Sequence, residues 1–185
     1  QDTLISILSE KTLAIPELDM EVRAKPGFNL IATANDRDRG VNDLSSALKR
    51  RFNTVVLPLP ATLDAEVEIV ADRVESMAKN LEVTEQKATE AEIRRLLTIF
   101  RELRDGKTLD GKTKLKSPAS TLSTAEAIAV ILNGQVLAQH FGSGNLQAED
   151  LAAGLMGAIV KDPMRDKQAW TEYLETVIRG RKQWK

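Results

Sequence analysis

Cysteine is absent from this 185-residue sequence, which excludes disulfides, thiol chemistry and every cysteine-based zinc site. Histidine is nearly absent too. The single His140 follows an apolar helical run and lacks a plausible co-ligand, so a structural or surface role is expected for it. Charge of one sign is not in excess: 26 Lys and Arg face 27 Asp and Glu, a net charge of -1. That balance removes the electrostatic reason for general binding to nucleic acid or to a membrane surface. Aromatics make up only 4% of the chain. None lies between Arg101 and Ser120, where Lys107, Lys112, Lys114 and Lys116 cluster, so bases would find nothing there to stack on. No apolar run approaches the length of a membrane span and no signal peptide is visible, so a reducing cytoplasm is compatible.

What is present suffices for one sizeable core or two small packed units, with 42% apolar and 29% charged residues. The chain opens on Gln1 within an apolar pattern (Leu4, Ile5, Leu8) that reads as the end of a helix, and is expected to belong to something longer. Leu13 with Ile15, then Leu18, Met20 and Val22, alternate about Pro16-Glu17 and predict a hairpin. Phe28 to Ala34 is a short apolar run with β-branched Ile31 and Thr33, which predicts a buried, parallel strand. A polar loop follows, Asn35 to Gly40, then a short helix, Ser45 to Arg51, and a last strand-like run, Thr54 to Leu57. Pro58 and Pro60 mark a boundary, giving an α/β part over 1–60 and a helical part over 61–185.

In the helical part, Val67, Val70, Ala71, Val74 and Ala78 recur on one face. Glu66, Glu68, Asp72 and Glu75 are expected on the opposite, wet face. Thr89-x-x-Glu92 and Ser123-x-x-Glu126 are capping boxes that open further helices. The second of these helices is apolar almost all round and should be buried. Leu151, Leu155 and Ile159 define another, stopped before Pro163, and Gln168 to Trp184 is amphipathic, with Trp170 and Trp184 as packing anchors.

Gly106 to Thr113 matches the phosphate-loop pattern G-x-x-x-x-G-K-[ST] letter for letter. That chemistry needs a buried strand leading in and a helix starting at the lysine, so that backbone amides face the phosphates. Here an amphipathic helix leads in and Pro118 lies ahead. The spacing predicts instead a helix stop at Gly106 and a hairpin turn on Asp110-Gly111, of type I′.

The sequence is most specific from Phe28 to Phe52. An amide, Asn35, stands at the carboxyl end of a predicted inner strand, where α/β sheets bind ligands. It is followed by Asp43-Leu44-Ser45-Ser46-Ala47-Leu48-Lys49-Arg50-Arg51-Phe52, a short helix ending in cations. An asparagine so placed can orient an attacking water. An arginine presented at a subunit boundary can stabilise a transferring phosphoryl group, worth roughly 10³–10⁵ in rate in GTPases.

These residues resemble AAA+ ATPases of the MoxR and dynein-related (midasin-like) group, in which a strand ending A-T-x-N and a segment like L-S-x-A-L-x-x-R-F recur. The resemblance is sharp over about 29–60. It implies that Asn35 is sensor 1 and Arg51 the arginine finger, with Arg50 a close second. It also implies that the Leu13 to Val22 hairpin is the pre-sensor-1 insertion and that the residues after Pro60 form the helical lid. The expected fold is therefore α+β but mostly helical: a remnant of an α/β core joined to a lid with a small β-hairpin. The implied parent protein binds ATP and Mg2+, forms a ring, expected to be a hexamer, and remodels a partner, expected to carry a von Willebrand factor A domain. The phosphate loop and the Asp-Glu magnesium motif of the family do not occur in this sequence, so this chain by itself is expected to bind neither nucleotide nor metal and to be inactive. A sensor-2 arginine should follow Ser117-Pro118 or Ser123-Thr124, and alanine stands at both places. Ser123 and Thr124 are nonetheless the candidate nucleotide contacts of the lid.

Other readings stand beside this one. Asn35 suits a turn, and Arg50 and Arg51 suit a helix C-terminus on dipole grounds. The chain then becomes a non-enzymatic helical interaction module. A third reading makes Gly106 to Thr113 a working phosphate site.

Overall fold

A computed structural model describes residues 2–34, 45–81, 83, 90–119, 122–181 and 184. The chain divides into two units, Gln1–Pro58 and Leu59–Lys185. The expected class holds, mostly helical with one two-stranded antiparallel sheet among the described residues.

In the first unit, helix α1 (Asp2–Glu10) leads into strands β1 (Thr12–Ile15) and β2 (Met20–Arg23). Leu13 pairs with Val22 and Ile15 with Met20 in the expected hairpin, but β2 is exposed along its length rather than half-buried. Pro16 opens a single 3-10 turn, where its fixed φ suits the first position. Asp19 closes the turn in the left-handed region (φ 48), a conformation aspartate tolerates better than most residues. Helix α2 (Ser46–Lys49) is capped by Ser45, whose Oγ accepts from the Leu48 amide at 3.3 Å, and it packs on α1.

Two predicted strands are absent. Phe28 to Ala34 and Thr54 to Leu57 have no regular secondary structure, and Ile31 is 90% and Leu57 86% exposed. An inner parallel strand needs a neighbour on each side to accept and donate its backbone hydrogen bonds. β1 and β2, the described strands, pair only with each other, so neither run has a ladder to join.

The second unit is built from α3 (Leu63–Asn80), α4 (Glu90–Asp105), α5 (Thr124–Phe141), α6 (Ala148–Ile159) and α7 (Asp166–Thr176). Thr62 caps α3, its Oγ1 accepting from the Ala65 amide at 3.2 Å. The predicted faces are the buried ones: Val67, Val70, Val74 and Ala78 on α3, and Ile93, Leu96, Leu97, Phe100 and Leu103 on α4. Thr89 of the expected capping box lies outside the described residues. The Ser123–Glu126 box is fully formed, with Ser123 N donating to Glu126 Oε2 at 2.8 Å and Glu126 N donating to Ser123 Oγ at 3.2 Å. Apolar nearly all round, α5 packs against α3, α4 and α6. Gly134 lets α6 approach, since a Cβ there would stand 2.9 Å from Leu146 Cδ1 and 3.1 Å from Leu151 Cδ2. The amphipathic tail is not one helix. α7 ends at Thr176, and a 3-10 turn, Ile178–Gly180, carries the chain on.

Gly106 ends α4 with φ 66, as predicted. The hairpin that follows makes a single antiparallel bridge, Lys107 to Lys114. Its turn differs from the expected one. The Gly111 amide donates to Thr108 O at 2.8 Å, so Leu109 and Asp110 are the central residues and Gly111 follows them at φ 71. A left-handed glycine after a turn built on ordinary φ values replaces the type I′ pair.

Candidate functional site

Ser45 sets the register of α2, and α2 in turn sets the directions of Arg50 and Arg51. Arg50 is the exposed C-cap residue, its amide donating to Ser46 O at 3.1 Å. Arg51 lies back along its own helix and across to α1. Its Nη1 donates to Ala47 O at 2.9 Å and its Nε to Ser9 Oγ. Both acceptors are neutral, so these bonds orient the exposed guanidinium without neutralising it. Asn35, the third residue of this candidate set, lies outside the described residues.

Ser123 and Thr124 have other work. The Ser123 hydroxyl is the N-cap of α5, and Thr124 Oγ1 bonds Glu66 Oε1 at 3.0 Å. Both hydroxyls are thus engaged within the protein.

Glu66 itself corrects the expectation of a wet face. It is fully buried and accepts from Arg101 Nη1 at 2.8 Å and Arg104 Nη2 at 3.1 Å. Sequence reasoning missed it although a signal was present: Glu66 stands in the same i, i+4 row as buried Val70, Val74 and Ala78. A second buried carboxylate, Glu102, accepts from Tyr173 Oη at 2.6 Å, from the Leu109 amide at 2.8 Å and from Arg181. Arg181 also lies over the Trp184 ring, 4.4 Å from its centroid. Asp166, the third, accepts from the amides of Ala119, Lys161 and Asp162 at 2.7 to 2.9 Å. Burial pushes its carboxyl up, but the three amides outweigh burial and hold it below the usual range.

The phosphate-loop lookalike is consumed by its own turn. The amides of Thr108, Leu109, Gly111, Lys112 and Thr113 all donate within the protein, to Thr113 O, Glu102, Thr108 O, Asp110 and Thr108 Oγ1. Asp110 adds a negative charge, its carboxyl held low by the Thr108 hydroxyl and the Lys112 amide. A loop with occupied amides and a carboxylate at its centre repels phosphate.

Between α3 and α4 runs a groove of about 500 Å³ with Val67, Val74 and Ile93 in its floor and Asp64, Glu68 and Arg94 at its rim. None of the candidate site residues Arg50, Arg51, Ser123 and Thr124 lines it. Among the described residues no group of three or more His, Asp or Glu could hold a metal ion, and no helix is long and apolar enough to cross a membrane.

With that geometry established, comparison with known proteins defines the class. Residues 1–52 match a family model described as an AAA domain of the dynein-related subfamily. Residues 64–184 match one described as the YehL-like AAA+ ATPase C-terminal domain. The chain therefore belongs to the YehL-like AAA+ ATPases, as their C-terminal region. It is 35% identical over 187 residues to the uncharacterized protein YehL of Escherichia coli (strain K12), an alignment covering 99% of this chain and 51% of that protein. The chain thus spans about half the length of the curated relative it matches. No solved structure matches it.

Proposed function

We propose that the whole protein is an ATP-hydrolysing, ring-forming remodelling machine of the MoxR or midasin-like kind. In this reading residues 1–60 are the C-terminal part of the ATPase core and residues 61–185 its helical lid. Arg51 is the arginine finger, acting on the nucleotide of a neighbouring subunit, with Arg50 in reserve, and Asn35 is sensor 1 of its own subunit. ATP and Mg2+ are bound by the whole protein. The described residues of this chain offer no phosphate cradle and contribute positioning and charge. The ring is a hexamer in the cytoplasm, and its substrate is a partner protein with a von Willebrand factor A domain.

The observation that carries this reading is Arg51 itself. Its guanidinium is exposed at the end of a capped helix, oriented by two neutral acceptors and still charged. That is the state a charge-stabilising arginine requires before its target arrives. The test is Arg51→Ala in the full-length protein, followed by ATP turnover and nucleotide affinity. Turnover should fall by about 10³-fold with affinity unchanged within twofold, and Arg50→Ala should do much less. Turnover at the wild-type rate in Arg51→Ala overturns the assignment and favours a non-enzymatic interaction module.

A further inference from the structure

The cluster at Glu66 is unbalanced. Among the described residues one carboxylate faces two guanidinium groups, leaving one positive charge in excess. The Glu66 side chain is 0% exposed, Arg104 10% and Arg101 14%, so dipoles of the protein must meet much of that excess. Three carbonyls do so. Arg104 Nη1 donates to Leu122 O at 3.0 Å, while Arg101 donates to Pro60 O at 3.2 Å and to Ala61 O at 3.0 Å. Two of the three therefore belong to the first residues of the helical unit. Just before them runs Thr54 to Leu57, exposed and without regular structure, and just after them Thr62 caps α3.

We propose that Arg101 is a positioning residue that clamps the entry of the helical unit, so that the hinge of the chain lies before Pro60 and not at the start of α3. Held at its carbonyls by Arg101 and at Thr62 by the cap, the segment from Pro60 to α3 has no slack. Force arriving along the chain passes directly into α3 and, through Glu66, into α4 and α5. Charge complementarity makes the clamp firm. Releasing the two carbonyls would strip one poorly solvated guanidinium, in a cluster that carries a net positive charge, of two of its acceptors. The mechanical consequence rests on the ATPase reading above, whereas the clamp itself can be measured without it.

The experiment is hydrogen exchange by mass spectrometry on the full-length protein, with ATP turnover measured alongside. In Arg101→Ala, peptides covering 59–64 should exchange at least about tenfold faster while those of 93–103 and 127–138 keep the wild-type rate. ATP turnover should fall with nucleotide affinity intact. Arg101→Lys retains the charge beside Glu66 but cannot span both carbonyls. It should restore the melting temperature without restoring protection at 59–64. Arg104→Lys should leave the entry protected, because its carbonyl partner is Leu122. Unchanged exchange at 59–64 in Arg101→Ala overturns the proposal. So does equal loosening of every helix in both Arg101 variants, which would make the residue a plain structural support. If the wild-type protein hydrolyses no ATP, the ATPase reading falls and the exchange data alone decide the clamp.

Discussion

Tyr173 and Glu102 stand 71 residues apart in sequence, and the phenol donates to the carboxylate at 2.6 Å inside the helical unit. Tyr173 is the only tyrosine of the chain, so its ionisation can be followed without interference. Burial raises the phenol far above its usual pKa, and the hydrogen bond and negative charge of Glu102 raise it further. The folded form holds its proton where the unfolded chain loses it. The stability contributed is therefore complete below about pH 10 and declines as pH rises above that value. Tyrosinate absorbance should stay flat through about pH 10.5 while the far-UV circular dichroism remains native, then rise together with unfolding. A smooth titration near pH 10 in a folded protein would contradict this. Tyr173→Phe should cost about 1–3 kcal/mol in urea denaturation, because it leaves Glu102 buried with one donor fewer.

Asp166 behaves in the opposite sense. Its carboxyl sits below the usual range, so it stabilises the fold above the ordinary aspartate pKa of about 4 and loses that effect as pH falls further. Asp166→Ala should destabilise by about 1–3 kcal/mol at pH 7, with a smaller difference at pH 3. The check is the difference between the urea midpoints of the two proteins at the two pH values. A constant difference would mean that the charge of Asp166 is not what its three amides require.

Gly106 occupies the left-handed region at φ 66, and an added Cβ would stand 3.2 Å from Ser117 Oγ and 3.4 Å from Leu115 O. Gly106→Ala should therefore lower stability by about 1–2 kcal/mol, because this helix-ending position needs the left-handed backbone that glycine adopts without strain. Thermal unfolding monitored by circular dichroism at 222 nm tests this. A stabilised variant would show that the turn rearranges.

Lys112 is largely exposed, and its ammonium lies 3.8 Å from Asp110. Lys112→Ala should leave nucleotide affinity of the full-length protein unchanged within calorimetric error. A tenfold weakening would restore the Gly106 to Thr113 segment as a phosphate site and displace the assignment built on Arg51.

The helices of the second unit were legible because their information is local. Apolar spacing marked the inward faces of α3 and α4, and Ser123 with Glu126 marked the start of α5. The strands expected at Phe28 and Thr54 are absent, since β pairing depends on partners far away in sequence and an apolar run alone cannot supply them. The buried carboxylates were missed for a related reason. Glu66 read as a surface residue until Arg101 and Arg104 reach it, 35 and 38 residues further along. Of the candidate site, the Arg51 helix was legible in its cap and its terminal cations, whereas the bond from Thr124 to Glu66 depends on a tertiary neighbour.

The placement of α5 has a consequence for how the helical unit comes apart. Because this helix touches α3, α4 and α6, it cannot be uncovered by peeling away any one of them. A protease that attacks bonds around Val130 or Ile131 must wait until the whole unit opens. Where opening and closing are fast relative to cleavage, the cutting rate there measures the free energy of complete unfolding. The middle of α5 is thus a built-in gauge of global stability, readable on a gel.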